Sequence, residues 1–315
     1  MPNRTVVVTG ATGLLGRQVC RVFRLKGWNV KGTGYSRADG VDILKVDLGK
    51  ADEISKLLAD INPDVIVHCA AERFPDKVEK DPEGAKNLNV AATSSLAQAA
   101  AAKGVFLIYI STDYVFPGRP GEAPYDVTSE TSPPNLYGQT KLDGERAALA
   151  AYGDKAGSAV VLRVPVLYGS AETPAESAVN VLLDAVWKSQ TEGKKIKMDH
   201  WSLRYPTNTE DAGRVCHDIA EHYLSSHDRS SLPTTVQFSA EQRMTKYEMC
   251  LKFAEIMGLP ADNIEPNPEG NDPNASVQRP YDTHLSTKAL QDIGIELSTV
   301  DFTAWWRREL GAFRR

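Results

Sequence analysis

Cysteine is scarce: four thiols, Cys20, Cys69, Cys216 and Cys250, are spread over 315 residues with no CxxC pair. That spacing excludes a disulfide-stapled framework and a thiolate zinc site. The six histidines form no HExxH and no other cluster with ligand spacing, so no metal is expected. No apolar run approaches the roughly 18 residues that a membrane span needs. The opening "MPNRTVVVTG" meets a short β-branched run at once, without the longer apolar stretch and cleavage site of a signal peptide. Positive charge is not in excess either. Lys and Arg number 36 against 41 Asp and Glu, a net charge of −5, which argues against nucleic acid held on a basic surface. Repeats and low-complexity tracts are missing as well. A reduced, cytoplasmic, metal-free protein with no membrane attachment is the expectation.

What is present is ordinary core material: 42% hydrophobic and 24% charged residues, enough to bury a substantial interior. The length exceeds the roughly 100–200 residues of a usual single domain. The first part of the chain alternates short β-branched runs with longer helical patterns. Strands are predicted at 5–10, 29–36, 43–48, 64–71, 105–112 and 159–169, with helices at 14–27, 51–61, 85–104 and from about 135. Such alternation implies parallel βαβ units with both sheet faces covered. Residues 117–134, "PGRPGEAPYDVTSETSPP", read as a loop. Beyond 170 the alternation loosens, with helical patterns at 176–189, 210–225 and 244–257. The expected division is a dinucleotide-binding domain over 1–169 and a smaller mixed α/β lobe over 170–315, some strands of which could return to the main sheet. The tail "AWWRREL" is expected to be an amphipathic helix docking its Trp pair on the core.

The stretch "TGATGLLG", residues 9–16, joins the first strand to the first helix. Glycines at 10, 13 and 16 suit a tight turn, close approach of backbone to phosphate, and close helix–strand packing. A helix N-terminus then offers free N–H groups and a positive dipole end to a pyrophosphate. Gly10, Thr12, Gly13, Leu14, Leu15 and Gly16 are therefore the expected dinucleotide loop. A Gly-rich turn serving packing alone is the alternative. At the end of the second strand, where a carboxylate would hold the ribose 2′-hydroxyl of NAD, the chain has Ser36 and Arg37. Arg suits the 2′-phosphate of NADP and Ser can donate to it, so NADP(H) is the expected cofactor. A solvated Arg37, or Asp39 approaching the ribose, stays open. Asp47 and Leu48 are placed to contact adenine, although Asp47 could equally cap a strand end.

"YISTDYVF", residues 109–116, ends the fifth strand, where ligands bind in open parallel sheets. Ser111, Thr112 and Asp113 should face that crevice. Tyr137 and Lys141 in "YGQTK" lie four residues apart, on one face of a helix. Together these residues make a proton-transfer set. Thr112 would orient a carbonyl, Tyr137 would protonate the developing alkoxide, and Lys141 would lower the Tyr137 pKa and bond the nicotinamide ribose. An isolated YxxxK is more often an ordinary surface pair.

"TGATGLLG", "HCAA", "STDYVF" and "YGQTK" together resemble the extended short-chain dehydrogenase/reductases, and "NLYGQTKLDGE" resembles their dTDP-4-dehydrorhamnose reductase branch. That likeness implies a Rossmann-type doubly wound parallel sheet with a smaller C-terminal substrate lobe. It also gives Thr112, Tyr137 and Lys141 the family's catalytic roles. Cys69, Ala70 and Ala71 would line the cofactor, with Val164 and Pro165 near the nicotinamide. Further segments, "VIVHCAAERFPDKVE", "MDHWSLRYPTN", "MTKYEM" and "QRP", are similar to the regulatory β subunits of methionine adenosyltransferase. These share the reductase fold and bind NADP. The likeness implies a methionine adenosyltransferase catalytic subunit as partner and a role in S-adenosylmethionine synthesis. The alternative is an NADPH-dependent reductase of a keto group on a nucleotide-sugar-like substrate.

Glu72 and Arg73 follow the fourth strand and could border the crevice or sit in a solvated loop. Trp201 and Arg204, in "DHWSLRYP", would suit an anionic or sugar-like substrate, or simply pack the lobe. Arg279, in "SVQRP", is placed by the resemblance in the substrate lobe, where it could pair with phosphate. Cys69 also reads as a small packed hydrophobe.

Overall fold

The computed structural model describes residues 4–155, 157–191 and 194–312. Its first strands are β1 (Thr5–Thr9), β2 (Asn29–Gly34), β3 (Ile43–Lys45), β4 (Val65–His68), β5 (Phe106–Thr112) and β6 (Ala159–Val164). Later come β7 (Leu167–Tyr168), β8 (Ile196–Asp199), β9 (Thr207–Asn208), β10 (Thr235–Gln237) and β11 (Ile264–Asn267). Seven of these form one sheet in the order β10-β6-β5-β4-β1-β2-β3, and every pairing in it is parallel. The strand order reverses between β1 and β4, which opens the crevice where doubly wound sheets bind ligands.

Side-chain alternation along the strands builds the two faces. Val6 and Val8, Val65 and Val67, and Phe106, Ile108 and Ile110 enter one core, with helices Leu14–Leu25 and Thr209–Ser225 over it. Val7, Ile66, Leu107 and Tyr109 enter the other, under Ala51–Ile61 and Thr93–Ala102. The unbroken apolar runs follow from this, since each strand is covered on both sides.

Four differences from the sequence reading have local causes. The strand expected over 159–169 breaks after Val164 at Pro165, which has no N–H for a ladder, and Leu167–Tyr168 pairs instead with β9. The helix expected over 85–104 is interrupted by a wide, π-type turn at Asn87–Ala92. The helix expected over 176–189 begins at Leu182. β10, three residues long and set on β6, was not anticipated, because three residues carry no periodic signal. Helices Thr209–Ser225 and Lys246–Met257 fall where expected, the second started by a reciprocal Thr245–Glu248 capping box. Phe302–Glu309 is the expected tail helix, and Trp305 and Trp306 are buried at 2% and 1% exposure against Tyr168 and Phe253. Among the described residues no helix is long and apolar enough to cross a membrane.

Candidate functional site

β1 turns into its helix through a tight loop. Gly10 has φ +63°, and a side chain there would put its Cβ 2.8 Å from the Ala70 nitrogen. A Cβ on Gly16 would collide with the Gly10 carbonyl. The main chain of the loop is therefore bare and pressed against Ala70, after β4. Gly13 is the N-cap of helix Leu14–Leu25 and provides no side-chain cap, so the first-turn N–H groups remain for a ligand. Thr12 turns its carbonyl to Arg17, whose Nη1 donates to it at 2.6 Å.

Ser36 and Arg37 lie just past β2, and both are exposed. Arg37 is not merely solvated. Its Nη1 lies 2.7 Å from Glu172 and 2.8 Å from Glu176, and Arg17 pairs with the same Glu176. Burial raises the Glu176 pKa, but the two guanidiniums outweigh it and hold the carboxyl down at about 2. Asp39 binds its own loop, accepting from the Val41, Asp42 and Ile43 nitrogens at 2.8–3.0 Å. Asp47 accepts from Gly49 at 2.9 Å, a strand-end turn, and Leu48 is buried in the core.

Past the ends of β4, β5 and β6 lies a cavity of about 280 Å³, bordered by Leu14, Leu15, Cys69, Ala71, Thr112, Tyr137, Lys141, Val164 and Pro165 among others. Thr112 ends β5, its hydroxyl donating to Asp113 at 3.1 Å and accepting from the Tyr114 nitrogen at 3.3 Å. Asn135 caps helix Leu136–Ala150, and this helix delivers Tyr137 and Lys141 to the same opening. Burial pushes the Tyr137 phenol up to about 12, against the pull of a hydrogen bond with Thr112. The cation that lowers it is Arg73, where the sequence reading had given that part to Lys141. A phenol in this state keeps its proton and can donate it.

Lys141 is 4% exposed, and its ammonium makes no hydrogen bond or ion pair among the described residues. Its ammonium sits 4.1 Å over the Tyr109 ring. Burial drives its pKa down to about 7, with Glu145 one turn on pulling the other way. A buried ammonium facing a cavity without partners lacks acceptors, and the hydroxyls of a ribose would supply them. Glu145 is itself held: Arg163 grips it at 2.9 and 2.7 Å and Ser111 donates at 2.5 Å.

The far wall is cationic. Arg73, Arg204, Lys246 and Arg279 border the same cavity, with Asp76, Asp113, Tyr114 and Phe74. Asp113 is buried, its pKa raised by that burial, and accepts from Thr283 at 2.5 Å. Of the residues expected to meet substrate, Arg73, Asp113, Arg204 and Arg279 come together here. Glu72 and Trp201 lie off the wall. Glu72 turns back to the Arg73 and Phe74 nitrogens at 3.0 and 3.2 Å, and Trp201 packs on Tyr281. Ala70 packs into the core beside the glycine loop.

Sequence reasoning missed Lys246, whose only signal was the capping box beside it, and Arg17, one residue beyond the glycine loop. It also missed Asn89, in the wide turn. Asn89 donates to the Glu72 carbonyl at 2.9 Å and to Thr140 at 3.1 Å, and accepts from the Glu72 nitrogen at 2.8 Å. It thereby ties the loop after β4 to the Tyr137 helix. Among the described residues no three His, Cys, Asp or Glu side chains gather as metal ligands would.

Fold and site together define a Rossmann-type α/β protein with a Thr–Tyr–Lys set at its strand ends, the arrangement of the extended short-chain dehydrogenase/reductases. Its sequence matches the profile of the RmlD substrate binding domain over residues 4–312, and the chain belongs to that family. The methionine adenosyltransferase 2 subunit beta of Rattus norvegicus is 43% identical over 295 residues, 94% of this chain and 84% of that one. A dTDP-4-dehydrorhamnose reductase of Mycolicibacterium smegmatis is 40% identical over 163 residues, 52% of this chain and 46% of that one. The crystal structure of dTDP-4-dehydrorhamnose reductase from Bacillus anthracis in complex with NADP shares the fold. Its TM-score is 0.80 at 22% identity, over 97% of this chain and 98% of that one.

Proposed function

We propose that this protein binds NADP(H) in the β1–β4 crevice and serves as a regulatory β subunit of a methionine adenosyltransferase, in S-adenosylmethionine synthesis in the cytoplasm. The likeness to the rat β subunit, 43% over 94% of this chain, carries the regulatory part. The loop from Gly10 to Gly16 supports the cofactor part, because Cβ atoms on Gly10 or Gly16 would collide with the main chain of Ala70 or Gly10 and break the turn that presents the uncapped start of helix Leu14–Leu25. Main-chain N–H groups of Leu14 and Leu15 would hold the diphosphate, Arg37 and Ser36 the 2′-phosphate, and Lys141 the ribose hydroxyls. Asp47 and Leu48 would border adenine, with Cys69, Ala71, Val164 and Pro165 along the nicotinamide. Residues 1–169, with β10 and helix Thr209–Ser225 returning to their sheet, would form the nucleotide-binding domain, and the rest of 170–315 a smaller lobe on the side of the second ligand. The test is capture of a methionine adenosyltransferase catalytic subunit from the native source, with and without NADPH. Failure to recover it under both conditions overturns the regulatory assignment.

One observation favours a second reading, an NADPH-dependent reductase of a keto group on a nucleotide-sugar-like substrate. Thr112, Tyr137 and Lys141 border one cavity, and the phenol is held protonated. The cofactor would supply hydride. Thr112 would hold the carbonyl oxygen and Tyr137 would give that oxygen its proton. NADPH oxidation across a panel of keto-sugars tests this. Tyr137→Phe is expected to cut turnover by about 10²-fold or more with NADPH affinity unchanged, and an equally active variant refutes the assignment.

A further inference from the structure

The far wall of the cavity holds more positive charge than the chain neutralises. Arg73 lies flat over the Phe74 ring, 4.5 Å from its centroid, and forms no ion pair among the described residues. Arg204 is 5% exposed. Its guanidinium is met only by main-chain carbonyls, Leu203 at 2.8 Å and Pro280 at 3.2 Å, and by the Tyr114 ring at 5.9 Å. Lys246, half-buried at the start of its helix, pairs with no carboxylate among the described residues. Arg279 is the one satisfied cation, 2.8 Å from Asp76. The second carboxyl on the wall, Asp113, accepts from Thr112 and Thr283, and the Arg204 guanidinium favours its charged form against the burial that raises its pKa. Arg73, Arg204 and Lys246 thus converge on one opening whose carboxylates are Asp113 and Asp76, the latter already paired with Arg279. Positive charge is in excess there, and for Arg204 and Lys246 incomplete pairing on burial is costly.

Size narrows what could neutralise them. Sites for drug-sized ligands run from about 300 to 1,000 Å³, and this cavity, at about 280 Å³, lies at the lower edge of that range. Its Leu14–Leu15–Cys69 end is continuous with the glycine loop and belongs to the cofactor. The remainder, between Tyr137 and Lys246, is what is left for a second, compact ligand.

We infer that the cavity takes a small carbonyl compound bearing a phosphate or a second carboxylate, its anionic end held by Arg73, Arg204 and Lys246 and its carbonyl turned to Thr112 and Tyr137. This rests on the crevice being the nicotinamide cofactor site, but not on turnover: a regulatory subunit would bind the same compound as an effector. On the reductase reading this compound takes the place of the nucleotide-sugar-like substrate, and dTDP is the probe that separates the two.

The test has two stages, so that the two ideas fail separately. NADPH binding is first followed by its fluorescence; no binding removes the cofactor reading, and the second stage is then run on cofactor-free protein. At the second stage calorimetry compares dihydroxyacetone phosphate, oxaloacetate, uncharged dihydroxyacetone and the nucleotide dTDP. A charged small probe is expected to bind at least tenfold tighter than dihydroxyacetone, and which of the two does so separates phosphate from carboxylate. Lys246→Gln and Arg73→Gln are each expected to remove about tenfold of that affinity and to leave NADPH affinity unchanged. Circular dichroism of each variant checks its fold. Equal binding of charged and uncharged probes, or indifference to both substitutions, overturns the inference. So does dTDP binding more tightly than either small anion.

Discussion

Arg37 offers the sharpest test of cofactor identity, because it already has partners that a 2′-phosphate must share or displace. In the structure its guanidinium meets Glu172 at 2.7 Å and Glu176 at 2.8 Å. A hydrogen bond to a charged group contributes about 1.5–3 kcal/mol. Losing the bond to phosphate in Arg37→Ala therefore weakens NADPH by about 10- to 150-fold, at about 1.4 kcal/mol per tenfold. The upper part of that range is expected. The substitution also leaves Glu172 facing the phosphate with only Arg17, 3.5 Å away, to balance it, and like charges repel. NADH lacks that phosphate, so its affinity should change by less than about twofold. Glu172→Gln works in the opposite sense. It frees Arg37 from one competitor, and because Glu172 is 56% exposed the gain is small, up to about fivefold. Titration of both nucleotides by fluorescence against wild type, Arg37→Ala and Glu172→Gln reads all of this at once. Parallel losses for NADPH and NADH in Arg37→Ala would refute the reasoning, as would weaker NADPH binding in Glu172→Gln.

Two further outcomes concern the buried charges. The Lys141 ammonium has a folded-state pKa near about 7, below its usual 10.5, so between those values the unfolded chain holds the extra proton. Stability should therefore rise with pH across that window, with the burial penalty complete below about 7. In urea denaturation of cofactor-free protein, wild type should gain on Lys141→Met as pH climbs from about 7 to 10.5, and a flat difference refutes this. The Arg163–Glu145 pair is 6% and 5% exposed. Arg163→Met strands a buried carboxylate at about 3–5 kcal/mol and should lower Tm by roughly 10 °C. Adding Glu145→Leu should recover most of the loss, and a double variant no more stable than the single one speaks against the pairing as the cause.

Local signals carried much of this molecule into its sequence. β1, β4 and β5 are apolar runs of β-branched residues, legible because both of their sides are covered. The Gly10–Gly16 loop and the Tyr137–Lys141 pair were legible because turn and helix geometry set their spacing over a few residues. What escaped depends on distant partners. Glu172 and Glu176 reach Arg37 across more than a hundred residues, and no local pattern announces that meeting. Lys246 joins Arg73 on one wall only through the packing of a separate helix. The wide turn at Asn87–Ala92 lies within an Ala-rich stretch whose propensity favours plain helix. There the tertiary bonds of Asn89 override the local preference.

The sheet's last strand has a consequence for how the chain is made. β10 and the helix Thr209–Ser225 come late, yet they cover the β6 edge and the outer side of Leu14–Leu25. Until about residue 237 has left the ribosome, the growing polypeptide presents an unpaired strand and a greasy slab to its surroundings. Chaperone dependence should therefore peak during synthesis of the second half, and a fragment ending soon after β6 should precipitate rather than fold.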